Sequence, residues 1–517
     1  MPRFWLLFLL TTFFLPACAD SRSGSPARSE DDVPGAALDG RVPREVPGED
    51  TLPPPEPGTL EEVRAGSEAP GVDSIAPEAG GDTLHADLTE EEEAPGPGGT
   101  PEGVVRPSFA HPKNVRGIYL NAWTAGSTRR REGLLQLAKR TEINTFVIDI
   151  KDASGFVSHR SRVPLAREVG ATEEIRIRDL HALLSRLEEE GVYPIARIVL
   201  AKDPVLARGR PDLAIQDSAG GAWTDQKGKL WLNFYRREVW DYHVDLAREV
   251  ARAGFPEIQW DYVRFPDAPD FLLGRAVFPG REGRTRVEAV REFLGYAREI
   301  LDEEGVVMTA DVFGVTTSYR RDVGIGQVWE SFIDRVDVAL PMVYPSHYWR
   351  GSFGYGKPNA YPYEIVRRAL RDAVARSALV EGAGRTRPWL QDFSLGDPPY
   401  GAPEVRAQIQ AAYDAGITEW ILWNPGSSYT EEALIPARGL PSWLEPVMRV
   451  GGVVVPLSRR AEVLGEGEIP GSEGPASVTD SADAAPHGRL VRPGSTPRPL
   501  PPVPIPDTSG VARWGGG

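Results

Sequence analysis

Between residues 109 and 456, short apolar runs alternate with longer stretches whose apolar positions recur every three or four residues. The short runs fall at 116–122, 145–151, 193–200, 257–265, 306–313, 336–344, 387–393 and 419–424. They are rich in β-branched and aromatic residues and lack a clean apolar–polar alternation, the pattern of parallel strands buried on both faces. The longer stretches, at 133–141, 177–191, 236–254, 285–304, 363–377 and 403–416, read as amphipathic helices, with a shorter one at 328–335. Gly191, Gly254, Gly305 and Gly416 stand between a helix and the next strand, where a left-handed residue most easily ends a helix. Eight such units in roughly 310 residues predict an α/β fold of the (β/α)8 barrel type. A doubly wound open sheet is the alternative. It would usually carry a Gly-rich phosphate loop after its first strand, and Asn121-Ala122-Trp123-Thr124-Ala125-Gly126 is not one.

The pattern fails on either side of this region. Residues 19–108 are rich in Pro, Gly, Glu and Ser and poor in aromatics, so they cannot bury enough apolar surface to offset the entropy of ordering. They read as a disordered, self-repelling tether. Residues 457–517 have a similar composition and read as a disordered tail. The run Glu90-Glu91-Glu92-Glu93 reads as solvated charge. Residues 1–18 resemble an export signal: Arg3, an apolar run over 4–15, then Leu15-Pro16-Ala17-Cys18, which is similar to a bacterial lipobox. Cys18 is the expected lipidation point. With three acyl chains the anchor would be firm, since a single chain binds only marginally. The expected location is therefore the periplasmic or outer-membrane face of a bacterial envelope.

Cys18 is also the only cysteine, so no disulfide, thiolate metal site or cysteine nucleophile can form within the barrel. The net charge of −16 sits almost wholly in the tether, where 21 Asp and Glu face six Arg and no Lys. The barrel is then nearly neutral, and nothing in it suggests a nucleic-acid surface. None of the seven histidines forms a His-x-His or His-x-x-x-His pair, so no metal site is expected, and nothing calls for a cofactor. His159, His181 and His243 read as structural. No Gly-x-Ser-x-Gly elbow is present.

In a (β/α)8 barrel the chemistry sits at the C-terminal ends of the strands. In chain order those ends carry Tyr119, Asn121 and Trp123, then Asp149, Lys151 and Asp152, then Arg197, Lys202 and Asp203. Strand four supplies Gln259, Asp261, Tyr262 and Arg264, and strand five Asp311. The last three strands supply Tyr344 and His347, Gln391 and Asp392, and Trp423 and Asn424. Aromatic faces stack on sugar rings, amides and charges bind hydroxyls, and paired carboxylates cleave glycosidic bonds. Any one of these Asp residues could merely cap a helix or pair with an Arg; four on a single rim make that reading weaker.

Several stretches together resemble a known family. Thr145-Phe146-Val147-Ile148-Asp149-Ile150-Lys151-Asp152, Tyr193-Pro194-Ile195-Ala196-Arg197-Ile198-Val199, Lys202-Asp203-Pro204 and Glu257-Ile258-Gln259-Trp260-Asp261-Tyr262-Val263-Arg264-Phe265-Pro266 are similar to the glycoside hydrolase family known as DUF4015. Trp329-Glu330, Met342-Val343-Tyr344-Pro345 and Trp423-Asn424 look like its later segments. The resemblance spans roughly residues 114–430. It implies a barrel distantly similar to the α-amylase clan, in which the nucleophile ends strand four, the acid/base strand five, and a further Asp strand seven. The matching positions are Asp261, Asp311 and Asp392. The clan usually has Glu where this chain has Asp311, which changes the carboxylate separation and so leaves retention or inversion open. On this reading Asp261 attacks or stabilises the sugar cation and Asp311 is a protonated acid with a raised pKa. Asp392, Asp149, Lys151, Asp152 and Arg197 hold hydroxyls or tune those carboxylates. Trp123, Tyr344 and Trp423 are stacking walls, with Asn424 beside them. Arg264 is three residues from Asp261, so it reaches the site only if the strand has ended before it. The expected partners are a carbohydrate substrate and the membrane. A non-catalytic glycan-binding lipoprotein and a purely structural envelope protein are the alternatives.

Overall fold

The computed structural model describes residues 106–440 and 445–464. The signal, Cys18, nearly all of the tether and most of the C-terminal tail lie outside the described residues.

Eight parallel strands close into a barrel. They are β1 (Arg116–Leu120), β2 (Thr145–Lys151), β3 (Tyr193–Val199), β4 (Glu257–Asp261), β5 (Val307–Phe313), β6 (Val338–Met342), β7 and β8 (Trp420–Trp423). β7 is in two pieces, Arg385–Thr386 and Trp389–Gln391, on either side of Pro388, whose nitrogen has no hydrogen to donate. Each strand pairs with the next, β8 pairs with β1, and the ring is complete. The outer layer contains α1 (Thr128–Arg140), α2 (Leu180–Glu189), α3 (Arg237–Ala253), α4 (Arg286–Glu304), the single turn α5 (Trp329–Phe332), α6 (Pro362–Ser377) and α7 (Ala402–Asp414). All eight expected strands and all seven expected helices are present, with ends displaced by a few residues.

Strand parity separates two apolar sets. Ile118, Phe146, Ile148, Ile198, Trp260, Ala310 and Leu422 face outward onto the helices. Tyr119, Val147, Ile195, Leu340, Trp389 and Ile421 face inward and fill the barrel. Both faces are therefore apolar, and for that reason no alternation shows in the sequence. Helix ends follow local chemistry. Thr285 and Glu288 form a reciprocal capping box at the start of α4, and Gly305 closes that helix at φ 69°.

The barrel floor is charged. At the N-terminal ends of the strands the Arg387 guanidinium donates to Glu257 at 2.6 Å and to Glu419 at 2.9 Å, and all three side chains are buried. Residues 106–114 cross beneath them, with Phe109 against the inner core and His111 edge-on to Tyr193. Among the described residues between β8 and residue 440 there is a short turn at Glu431–Ala433 in place of an eighth full helix. A hairpin of β9 (Val447–Val450) and β10 (Val453–Pro456) closes on the outer layer: Arg449 bonds Glu404 of α7, and the Gly451 N–H bonds Glu364 of α6. The fold does not stop at 456 as expected. A turn and a short helix (Arg460–Leu464) follow, with Arg460 paired to Asp414 at 2.6 Å.

Removing one member of the floor triad strands the other charges in the dry interior. Arg387→Ala should lower unfolding free energy by about 3–5 kcal/mol, whereas apolar replacement of all three should cost far less. Urea titration of the two variants checks this. Equal losses would mean that packing volume, and not charge, is what the triad supplies.

Candidate active site

The inward parity that builds the barrel also delivers its charges. At the upper end of the lumen β2 presents Asp149, β3 Arg197, β4 Gln259 and Asp261, and β5 Asp311, all buried. Arg197 is the hub. It donates to Asp149 through Nη1 and to Asp261 through Nη2, while its Nε lies 3.1 Å from Asp261 Oδ2 and 3.8 Å from Asp311 Oδ2. The facing oxygens of Asp261 and Asp311 are thus no further apart than the sum of those two distances. That bound admits both the ~5–5.5 Å separation of retaining pairs and the low end of the ~6.5–9.5 Å range of inverting ones. The guanidinium also lies 5.6 Å from the ring centre of Tyr119 and 5.3 Å from that of Trp423, two rings that stack on each other at 4.1 Å.

Each carboxylate has a distinct setting. Asp261 accepts from Arg197 and, at 2.5 Å, from the Tyr262 backbone N–H. Asp311 is held by Trp389 Nε1 at 2.7 Å on Oδ1 and by Gln259 Nε2 at 2.7 and 2.9 Å on its two oxygens. Burial, and then the nearby Asp261 charge, push the Asp311 carboxyl well above the usual range, with only partial relief from Arg197. Asp149 accepts from Tyr119 Oη at 2.5 Å and from Arg197, both of which favour its ionised form. Burial outweighs them and raises its pKa to about 6.

Above this cluster opens a cavity of about 240 Å³. Its floor is Arg197, Asp261 and Asp311, and its walls include Tyr344, Trp389, Trp423 and Arg264. Arg264 gets there because β4 ends at Asp261. Tyr262 adopts φ 50°, which breaks strand alternation and turns the next residues back toward the mouth. His347 also lines the cavity, and burial depresses its pKa to about 4.

Six expected site residues do not line this cavity; the first, Asp149, is buried and reaches the site only through its bond with Arg197. Lys151 shares the parity of Asp149, but a bulge lies between them, so that Asp149 aligns with Arg197 and Lys151 with the outward-facing Ile198. Lys151 Nζ is instead fully buried between barrel and helices, 2.9 Å from Asp203 and 2.8 Å from the Val199 carbonyl. Asp152 closes a turn at Ser154 and pairs with Arg176 at 2.5 Å. Asp392 accepts from the Thr430 N–H at 2.9 Å and its hydroxyl at 2.6 Å, and so pins the loop after β8. Asn424 braces the same loop by donating to the Asp392 carbonyl at 2.6 Å. Trp123 is 51% exposed beyond the cavity, with Arg176 lying 5.5 Å over its ring. Gln259 and Tyr119, expected at strand ends but without a role, hold Asp311 and Asp149, and Trp389, which also holds Asp311, was not among the expected site residues.

Residues 117–429 match the family model described as "Putative glycosyl hydrolase domain", DUF4015. The chain belongs to that family. The match runs from the second residue of β1 through β8 and ends one residue before Thr430, to which Asp392 bonds. Among solved structures, the glycosyl hydrolase domain is similar to a hypothetical protein from Ruminiclostridium thermocellum ATCC 27405, at 39% identity over 38% of this chain and 97% of that one, TM-score 0.35. It is also similar to the PgaB (BpsB) glycoside hydrolase domain from Bordetella bronchiseptica, at 14% identity over 64% and 100%, TM-score 0.44. An alpha-galactosidase from Thermus thermophilus, TtGalA, aligns at 17% identity over 68% of each chain, TM-score 0.38. At these scores the structural likenesses decide nothing about activity, and the family match carries the assignment. No curated protein matches the chain.

A pH dependence follows from Asp149. Its folded pKa, about 6, lies above the unfolded value of 3.8, so the fold binds its proton more tightly. That contribution to stability is complete below about pH 3.8 and is lost as pH rises through about 6. Asp149→Asn should remove this slope, on the order of 3 kcal/mol across the window. Chemical denaturation at pH 4, 5, 6 and 7 gives the comparison; a wild-type slope unchanged in the variant would place the titration elsewhere.

Proposed function

We propose that the barrel hydrolyses a glycosidic bond with Asp261 and Asp311 as its carboxylate pair, on a glycan at the bacterial envelope. One observation supports the pairing above all. The two carboxylates share a single guanidinium at the floor of an aromatic-walled cavity, and burial favours the protonated form of Asp311. In this reading Asp311 is the general acid. Its Oδ1 takes N–H bonds from both Trp389 and Gln259, and its Oδ2 only the longer one from Gln259, so Oδ2 is the side that carries the proton to the glycosidic oxygen. Asp261, surrounded by N–H donors, attacks or stabilises the developing sugar cation. Trp423 and Tyr344 stack on the ring, and Arg197 limits the repulsion between the acids. Asp149 and Tyr119 hold Arg197 in place.

Reducing-sugar release from a panel of envelope and plant glycans tests this. Asp311→Asn should lower kcat by roughly 10²–10⁴-fold. Asp261→Asn should lower it at least as far, with thermal stability of both variants near the wild type. Wild-type turnover in Asp261→Asn sinks the assignment, and tight glycan binding without cleavage by any form would make this a binding module. The envelope location rests on the lipobox-like Leu15-Pro16-Ala17-Cys18. Expressed in a bacterium, wild type should partition with membranes and Cys18→Ala should be released as a soluble protein; equal partition of the two would remove the anchor from the proposal.

A further inference from the structure

Six arginines are buried among the described residues: Arg176, Arg197, Arg264, Arg376, Arg387 and Arg406. A buried guanidinium is tolerable when a carboxylate neutralises it. Five of the six follow that rule, pairing with Asp152, with Asp149 and Asp261, with Glu330, with Glu257 and Glu419, and with Glu142. Arg264 is the exception. Only 9% exposed, it makes one hydrogen bond, from Nη1 to the Phe265 carbonyl at 3.0 Å, and no ion pair with a described carboxylate. A guanidinium has five N–H donors in a planar fork, so most of this one's capacity is unspent.

Arg264 also lines the cavity over Asp261 and Asp311. Its guanidinium is held between three aromatic rings, Phe313 at 4.4 Å, Tyr262 at 4.7 Å and Trp231 at 5.2 Å from their centres. Those contacts fix its orientation without neutralising it. The two acids of the cavity floor are taken, Asp261 by Arg197 and Asp311 by Gln259 and Trp389. A second cation points the same way. Lys202 Nζ lies 5.5 Å from the centre of the Tyr262 ring and forms no ion pair among the described residues. Moreover, the residue both cations share is strained: a bulky aromatic at φ 50° is disfavoured, and such strain persists where the surroundings impose it, commonly at ligand sites.

We infer that Arg264 is the receptor for an anionic group on the substrate, and that the glycan this barrel accepts is acidic, bearing a carboxylate or a sulfate on the sugar at the scissile bond or next to it. The inference rests on the hydrolase reading for the word substrate, but the anion site stands or falls by binding alone. The planar fork suits a two-oxygen contact with either group, and Lys202 adds a point charge beside the Tyr262 ring.

The experiment separates the two claims. The cleavage-deficient Asp261→Asn protein is titrated calorimetrically with polyuronides, with the same chains after reduction of their carboxylates to alcohols, with sulfated chains, with neutral glucans, and with free uronic acids. The wild-type full chain is assayed for cleavage of each. Binding of an acidic chain at least 10-fold tighter than of its neutral counterpart supports the inference, and the polyuronide and sulfate arms show which anion is used. Adding Arg264→Gln should collapse that preference toward unity, and Arg264→Lys should retain part of it. Preferential binding or cleavage of neutral chains overturns the anion site while leaving the hydrolase intact. Acidic-chain binding without cleavage does the reverse. A preference untouched by Arg264→Gln, or failure of every anionic sugar to bind, also overturns it.

Discussion

The arrangement at the mouth of this barrel depends on one guanidinium. Without Arg197, three carboxyl groups would converge in a desolvated lumen with nothing to oppose their repulsion, and the cheapest response would be to protonate all of them. With it, the three are differentiated. Asp149 and Asp261 receive direct hydrogen bonds, and Asp311 receives only the more distant Nε and two neutral donors. One cation shared unequally thus sorts chemically identical groups into different roles, the arrangement an acid-and-carboxylate reaction requires.

The opposite end of the lumen repeats the motif with a different outcome. Arg387 lies between Glu257 and Glu419, fully enclosed, with residues 106–114 crossing below. Between the two charged ends lies an apolar layer including Val147, Ile195, Leu340 and Ile421. The lower cluster is closed by structure and the upper one is open to ligand, though both are built from inward positions of the same strands. What differs is the surroundings: the C-terminal ends carry the aromatic walls, Trp389 and Trp423 on the strands and Tyr344 just beyond one, and the N-terminal ends meet a crossing segment.

The barrel was legible because it depends on pattern. Eight doubly buried apolar runs, each followed by a helix, leave few other folds. The carboxylates on β4 and β5 were legible because they end strands. Lys151 misled because parity carries from Asp149 only through an unbroken strand, and one bulge residue moves the side chain to the other face of the wall. Asp392 misled because the clan pattern gives a strand end but not which way its side chain turns, and here it turns to Thr430. Trp389 was missed for another reason. An indole in an apolar run reads as core, and its single N–H becomes informative only when a buried carboxylate lies 2.7 Å away. Its shared parity with Arg387 was the one signal available.

Tyr262 sets evolution and engineering against each other. Its left-handed backbone costs roughly 1–3 kcal/mol for a residue with a Cβ, and glycine would relieve it. Yet the ring it carries is the shelf on which both Arg264 and Lys202 rest, and the turn it makes brings Arg264 to the cavity. A search for thermostable variants would therefore be drawn to this position, and each gain in melting temperature there would come with a less ordered binding wall. Selection for activity alone should hold an aromatic residue in a conformation that selection for stability would discard.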